Sequence, residues 1–403
     1  MKIKLLAASF AIWTAFVIFG LKSNHLCLAG SEADAPAHID STILLMYRGF
    51  SLYREPVARL GTRPAKEVAD EFASRYGWLS DAQGVTDLLD IPERQGKPPL
   101  LVNWSYLPRP YPPGVFAVFL PEAILKEALD LNPKTAATIG LIELLLLAHV
   151  FLWFFWSQVL PAKAEGEDTL ELAALIIIPL VYLETIFWTL HGFYDATAMI
   201  PLLLAARALK KRKGLETVFW YCLSLFLHFR ALWYLPMLAW GAWLFFSQKE
   251  YRKQNRRQNA MTLSSLFMLG LSSYSFVLVY PWLMTLKPTN FFFTTADFSS
   301  WARLSYLLVP MGLLAGALAQ NRARLLIACL AWTIVMLARS PFLQMWHSWY
   351  LTPLFALTGV GEKSAARSRT FVLIAYFVLA SLAFTYFCFN GLLFQDAIKE
   401  LWG

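Results

Sequence analysis

The sequence predicts an all-α polytopic membrane protein of about eleven transmembrane helices. Three observations predict it. The 403 residues are 58% hydrophobic, with a mean hydropathy of +0.49. Only 15% are charged, few for covering the surface of a water-exposed chain of this length. Short basic clusters separate many apolar runs that approach the roughly 20 residues a bilayer requires. The net charge of +8 therefore reads as a topology signal and not as a nucleic-acid footprint.

The expected organisation has four parts: a first transmembrane helix over 1–21, a large non-cytoplasmic loop over 22–135, a transmembrane helix bundle over 136–394 and a short C-terminal tail over 395–403. MKIKLLAASFAIWTAFVIFG has the charged start and apolar stretch of a signal peptide, but ADAPA is a poor cleavage site, so an uncleaved span is favoured. In the loop, PAKEVADEFASRYG (Pro64–Gly77) has helical spacing, with a proline start and a glycine stop. VFAVFLPEAILKEAL (Val115–Leu129) is too short and interrupted for a confident span and reads as re-entrant or interfacial. Further spans are expected near 136–160, 172–190, 195–209, 217–230, 231–248, 261–286, 301–320, 325–339, 349–361 and 370–394.

Alternation from a cytoplasmic MKIK puts KKRK (Lys210–Lys213), KEYRKQNRR (Lys249–Arg257), NRAR (Asn321–Arg324) and EKSAARSR (Glu362–Arg369) on the cytoplasmic side. The opposite face receives the large loop, HGFYDA, LHFR and SPFLQMWHSW. Cys27, Cys222, Cys329 and Cys388 form no CxxC pair, so neither a disulfide framework nor a zinc site is indicated. No short repeat or nucleotide-binding glycine loop stands out, which argues against a nucleotide-driven pump.

Several polar constellations interrupt the apolar pattern. Asp40, in AHIDSTILLMYRGF, has the chemistry of a general base at a membrane–water boundary, or of a helix N-cap. NWSYLPRPYPPGVF places Trp104, Tyr106 and Tyr111 along a proline-fixed path, as an aromatic belt or a sugar-stacking platform. HGFYDATA sets His191, Tyr194 and Asp195 between two apolar runs. Asp195 is either a helix cap or part of a polar site. His228 and Arg230, in LHFRALWYLP, suit snorkelling or the binding of a phosphate, whose geometry the guanidinium fork matches. His347 stands among Trp346, Trp349 and Tyr350, as a belt residue, proton carrier or phosphate ligand. Glu143, His149 and Glu184 fall inside apolar runs, where such residues face a bundle interior and can pair with each other.

The order of these features resembles the GT-C superfamily of membrane glycosyltransferases. An acid follows the first span; YPPG, hGxYDA and hxWYLxPL come after it. The nearest group is the mannosyltransferase-like one that uses polyprenyl-phosphate sugars. The resemblance implies a cell-envelope glycan enzyme with its catalytic loops non-cytoplasmic; the short loops and the lack of an obvious retention signal favour the bacterial inner (plasma) membrane over the endoplasmic reticulum. It would transfer a sugar, with inversion, from a polyprenyl-phosphate donor to a lipid, glycan or protein acceptor.

By that resemblance Asp40 is the catalytic residue, with Asp34 as the fallback. Arg230, His228 and His347 bind the donor phosphate, while Tyr111, Asp195, Tyr194, His191, Trp104, Trp349 and Tyr350 bind substrate. His38 stands where many relatives carry a second acid, so a two-carboxylate metal site lacks support and no cofactor is required. The element around Gly192 and Asp195 also lacks the glutamine common in the family. A lipid-linked glycan polymerase or ligase, and a non-enzymatic lipid or solute transporter, are the alternatives; nucleic acid is not an expected partner.

Overall fold

The computed structural model describes residues 2–23, 34–49, 85–86, 92–98, 100, 102–103, 112–159, 181–182, 185–186, 188–190, 192–228, 231, 234–247, 255–285 and 352–353. Its described α-helices are α1 (Lys2–Ser23), α2 (Asp34–Arg48), α3 (Gly114–Val118), α4 (Leu120–Leu129), α5 (Pro133–Val159), α6 (Asp195–Lys210), α7 (Gly214–Leu227), α8 (Leu235–Ser247) and α9 (Arg256–Thr285). A 3-10 turn covers Pro92–Arg94. Strands β1 (Val85–Thr86) and β2 (Val102–Asn103) form one antiparallel pair, with Val85 opposite Asn103.

The chain divides into two compact units. Unit 1 comprises Met1–Val150, Thr185–Tyr194 and Leu373–Gly403; unit 2 comprises Phe151–Glu184 and Asp195–Val372.

In unit 1, α2 packs on α3, α4 and β2. The α3–α4 segment is one amphipathic stretch broken at Phe119, with Pro121 in the first turn of α4, where its missing N–H costs little. Asp130 ends α4 in the left-handed conformation (φ 48°), which Asp tolerates better than most residues. Along α1 and α5, the Oγ of Ser9 lies 2.9 Å from His149 Nε2 and the Phe10 ring meets the His149 ring edge-on. His149 Nδ1 lies 2.7 Å from the Leu145 carbonyl, so His149 is held by Ser9 and its own helix, not by a glutamate.

Unit 2 is arranged around α7, which packs against α6, α8 and α9. The α7–α8 contact is a backbone approach. A Cβ on Gly214 would lie 2.3 Å from the Phe245 amide nitrogen, and one on Gly241 would lie 2.9 Å from the Thr217 side chain. Ser224 donates to the Ala198 carbonyl of α6 at 2.8 Å, and Tyr221 donates to the Ala231 carbonyl at 2.9 Å.

The fold corrects the expectation of about eleven transmembrane helices. Among the described residues one helix is long and apolar enough to cross a membrane, the Thr135–Gln158 stretch of α5, and core helices pass the same test. The expected spans near 195–209, 217–230 and 231–248 are helices of 16, 14 and 13 residues. At about 1.5 Å per residue they fall short of a hydrocarbon core of about 30 Å. The polar elements that drew attention in the sequence are what cut them. HGFY precedes α6, Lys211–Lys213 separate α6 from α7, and His228 caps α7 in an extended conformation. The apolar helix in α1 runs only from Ile3 to Phe19. Composition averages over the chain, whereas crossing a bilayer needs uninterrupted length. The expected helix at 64–77, the spans near 301–320, 325–339 and 370–394, and most of those near 172–190 and 349–361 lie outside the described residues.

Candidate functional site

The charged residues of α4 face inward. Glu122, Lys126 and Glu127 are buried beside Ala123, while Leu120, Ile124, Leu125 and Leu129 on the other side of the helix are exposed. This inverts the usual arrangement of an amphipathic helix, and it holds because the buried charges meet partners.

Lys126 Nζ donates to Asp40 Oδ1 at 2.7 Å, with both side chains 1% exposed. Coulomb attraction is strong at such a depth, but so is the desolvation it offsets; the pair is worth most as a constraint that fixes α2 to α4.

Glu127 is the hub of a second network. Arg94 donates to its Oε1 through Nε at 3.0 Å and again through Nη2. Tyr47 donates to Oε2 at 2.7 Å, and Lys97 donates to the Glu127 backbone carbonyl at 2.7 Å. Burial pushes the Glu127 carboxyl up. The Arg94 and Tyr47 hydrogen bonds and the charges of Arg94 and Lys97 outweigh it, and hold the group below the ordinary value. The same network raises the Tyr47 hydroxyl, first through its hydrogen bond to Glu127 and then through burial and that carboxylate's charge.

Glu122 differs from its neighbours. It is 3% exposed, and its Oε2 is buried with no hydrogen-bond partner. Burial raises its pKa above the ordinary 4.5, against a smaller lowering by a backbone hydrogen bond. It stands one helical turn before Lys126 on the same face. A Cβ on Gly140 of α5 would lie 3.0 Å from Ile39 Cδ1 and 3.9 Å from Glu122 Cγ, so Ile39 and Glu122 both border Gly140.

Aromatic rings flank the cluster. His38 stacks on Phe119 with centroids 5.1 Å apart and meets Tyr194 edge-on at 5.4 Å. Phe119 and Tyr194 are 6.1 Å apart at 75°.

The expected site residues thus fall in separate places. Asp40 and Tyr194 belong to unit 1. Asp195, at the start of α6, and His228, at the end of α7, belong to unit 2, where His228 Nε2 lies 3.2 Å from Asp195 Oδ1 in a buried pair. Trp104, Tyr111, His191, Arg230, His347, Trp349 and Tyr350 lie outside the described residues, and the side chain of Asp34 does too. Sequence reasoning missed Lys126, Glu122, Glu127 and Arg94. The Glu122–Lys126 spacing was a visible signal, but such a pair reads first as a solvated helix face. Among the described residues no group of three or more His, Cys, Asp or Glu side chains is placed to hold a metal ion.

No family model matches the chain, and no curated protein or solved structure matches it either. These findings overturn the resemblance to the GT-C superfamily, and with it the glycosyltransferase activity, the mannosyltransferase-like and cell-envelope assignments and the polymerase, ligase and transporter alternatives. The polyprenyl-phosphate donor, the glycan, lipid or protein acceptor and the bilayer as partner rested on the same resemblance and on the multi-span fold. So did placement in the bacterial inner membrane. The quoted motifs are short and proline- or aromatic-rich, and such stretches recur wherever a chain turns between apolar helices. Their order along this chain carried no fold with it.

Proposed function

We propose that the chain is a helical ligand-binding protein whose working site is the charged core of unit 1. In this reading Asp40 anchors Lys126, Glu122 receives a hydrogen bond from a small polar ligand, and Tyr194 with His38 and Phe119 forms the aromatic wall. The observation that carries it is Glu122 Oε2, a buried acceptor with no partner beside a pair that is satisfied. Native proteins leave few such groups, because each costs about 1–3 kcal/mol, and an unpartnered one invites a ligand or water. Asp195 and His228 form a buried pair in unit 2.

Ligand-observed NMR of the full chain with ethanolamine, ethylene glycol and acetate tests the reading. The two probes that carry donors are expected to show contact that Glu122→Leu loses, and acetate is expected to show none. Absence of contact for both donors, or contact that survives in Glu122→Leu, would overturn it.

A further inference from the structure

We infer that α9 of unit 2 is an interface with a second copy of this chain, paired antiparallel about a two-fold axis between Phe267 and Gly270. The two sides of α9 are reversed. Ser265, Met268, Ser272 and Ser275 are buried on one side, and the three serine hydroxyls donate to carbonyls of their own helix. Leu263, Leu266, Phe267 and Tyr274 are exposed on the other, Leu263 by 68% and Phe267 by 64%. A helix whose serines face in and whose large apolar side chains face out presents its apolar stripe to an outside partner. The stripe has a definite period. Arg256, Ala260, Leu263, Phe267, Gly270 and Tyr274 are all exposed and follow one another at steps of four and three residues. That is the seven-residue repeat with which two helices lock side by side.

The stripe fits itself. With the axis between Phe267 and Gly270, Phe267 of each copy faces Gly270 of the other, and Leu263 faces Tyr274. A Cβ on Gly270 would meet nothing within 4 Å, so the space over it is open, and a methyl group there would still leave most of it. The Phe267 ring of the second copy is the projection that fills it. Beside the stripe, a groove of about 500 Å³ is lined by Phe219 of α7 and by Leu263, Ser264, Phe267 and Met268 of α9. Tyr274 of the second copy falls at its edge. Charge selects the antiparallel direction. The first turn of α9 has no acid and begins Arg256-Arg257, the wrong sign for the positive end of its own dipole. In the antiparallel pair these arginines run beside the last turn of the second copy. The terminal carbonyls there carry partial negative charge, and that turn has no basic residue of its own. A parallel pair would instead crowd the arginines of both copies at one end. The antiparallel contact is the same patch on both copies, so association closes at two.

Sedimentation equilibrium of the full chain tests the inference. The parent is expected to form a concentration-dependent dimer and no larger species. Phe267→Asp is expected to weaken association at least about tenfold with the circular dichroism unchanged, because the ring it removes lies off the packed side of α9. Arg256→Glu combined with Arg257→Glu is expected to weaken association too, although it suits the dipole of its own helix better. A short bis-maleimide cross-linker reads the direction. It is expected to join chains carrying Phe267→Cys to chains carrying Gly270→Cys, and not to join two chains that carry Tyr274→Cys. A parent that stays monomeric at every concentration overturns the inference, whether the face then takes an unlike protein, a small apolar ligand or a vesicle. Association untouched by Phe267→Asp or by the paired glutamates, or efficient joining of two Tyr274→Cys chains, overturns it as well.

Discussion

Unit 1 and unit 2 draw on the same apolar composition but hold their helices together differently. In unit 1 charges taken out of water hold α4: Lys126 pairs with Asp40 of α2, and Glu127 pairs with Arg94 of the 3-10 turn. In unit 2 the α7–α8 contact is made by backbone proximity at Gly214 and Gly241, with short hydroxyl-to-carbonyl bonds around it. The first kind of contact is expensive to form and specific about partners. The second is cheap and demands only small residues. A protein with no use for buried charge could have built both units in the second way, and that is why unit 1 holds the candidate site.

The comparison breaks most sharply at Lys126. Removing one member of a buried pair leaves the other uncompensated, so Lys126→Met is expected to destabilise the fold by about 3–5 kcal/mol. Adding Asp40→Leu to it should recover most of that loss, because apolar replacement of both partners is often neutral. Urea denaturation of the two variants checks this. A double variant no more stable than Lys126→Met would show that the pair is not the contact that matters.

Gly214→Ala comes next. Its Cβ would meet the Phe245 backbone, which has no flexible end to move aside. The expected cost is about 1–3 kcal/mol by thermal melting. A neutral effect would contradict the backbone-contact description of unit 2.

The two buried glutamates of α4 should respond to pH in opposite directions. Glu127 is held below the ordinary value of 4.5, so its contribution is present above that value and is lost as pH falls through the folded pKa. Glu122 is raised, so its relative contribution is full below 4.5 and is lost as pH rises through the folded pKa. Glu127→Gln should therefore be less stable than the parent at neutral pH and approach it in acid. Glu122→Gln should match the parent in acid and overtake it as pH rises. Melting curves across the range decide both; parallel pH profiles for the two variants would refute the assignment.

The smallest effect is expected at Gly270, in α9, where an added Cβ meets nothing within 4 Å. Gly270→Ala should stabilise the protein by about 0.5–1 kcal/mol, as in any open helix interior. Destabilisation there would mean that α9 is more closely covered than its neighbours show.

The helical class was legible in the sequence, and so was the position of several breaks. Asp195 does open a helix, whereas Asp40, which the sequence also allows as an N-cap, lies inside α2, six residues after its start. What misled was the reading of apolar runs as membrane spans. In α6, Ala198, Leu202, Ala205, Ala206 and Leu209 are buried, so its apolar residues fill the packed interior of unit 2. Which side of α4 faces the core could not be read from LPEAILKEAL alone, since its apolar positions also form a stripe. The answer depends on Arg94 and Asp40, which are far away in the chain and supply the partners. Nor does any sequence rule mark an acceptor that ends without a partner, as Glu122 does.

The central claim is that burial holds the carboxyl of Glu122, whose Oε2 has no hydrogen-bond partner, above its ordinary pKa. Its side-chain carboxyl carbon, assigned by the resonance that Glu122→Gln removes, can be followed by 13C NMR as pH rises. The account predicts a titration midpoint above the ordinary 4.5. A midpoint at or below that value would contradict it.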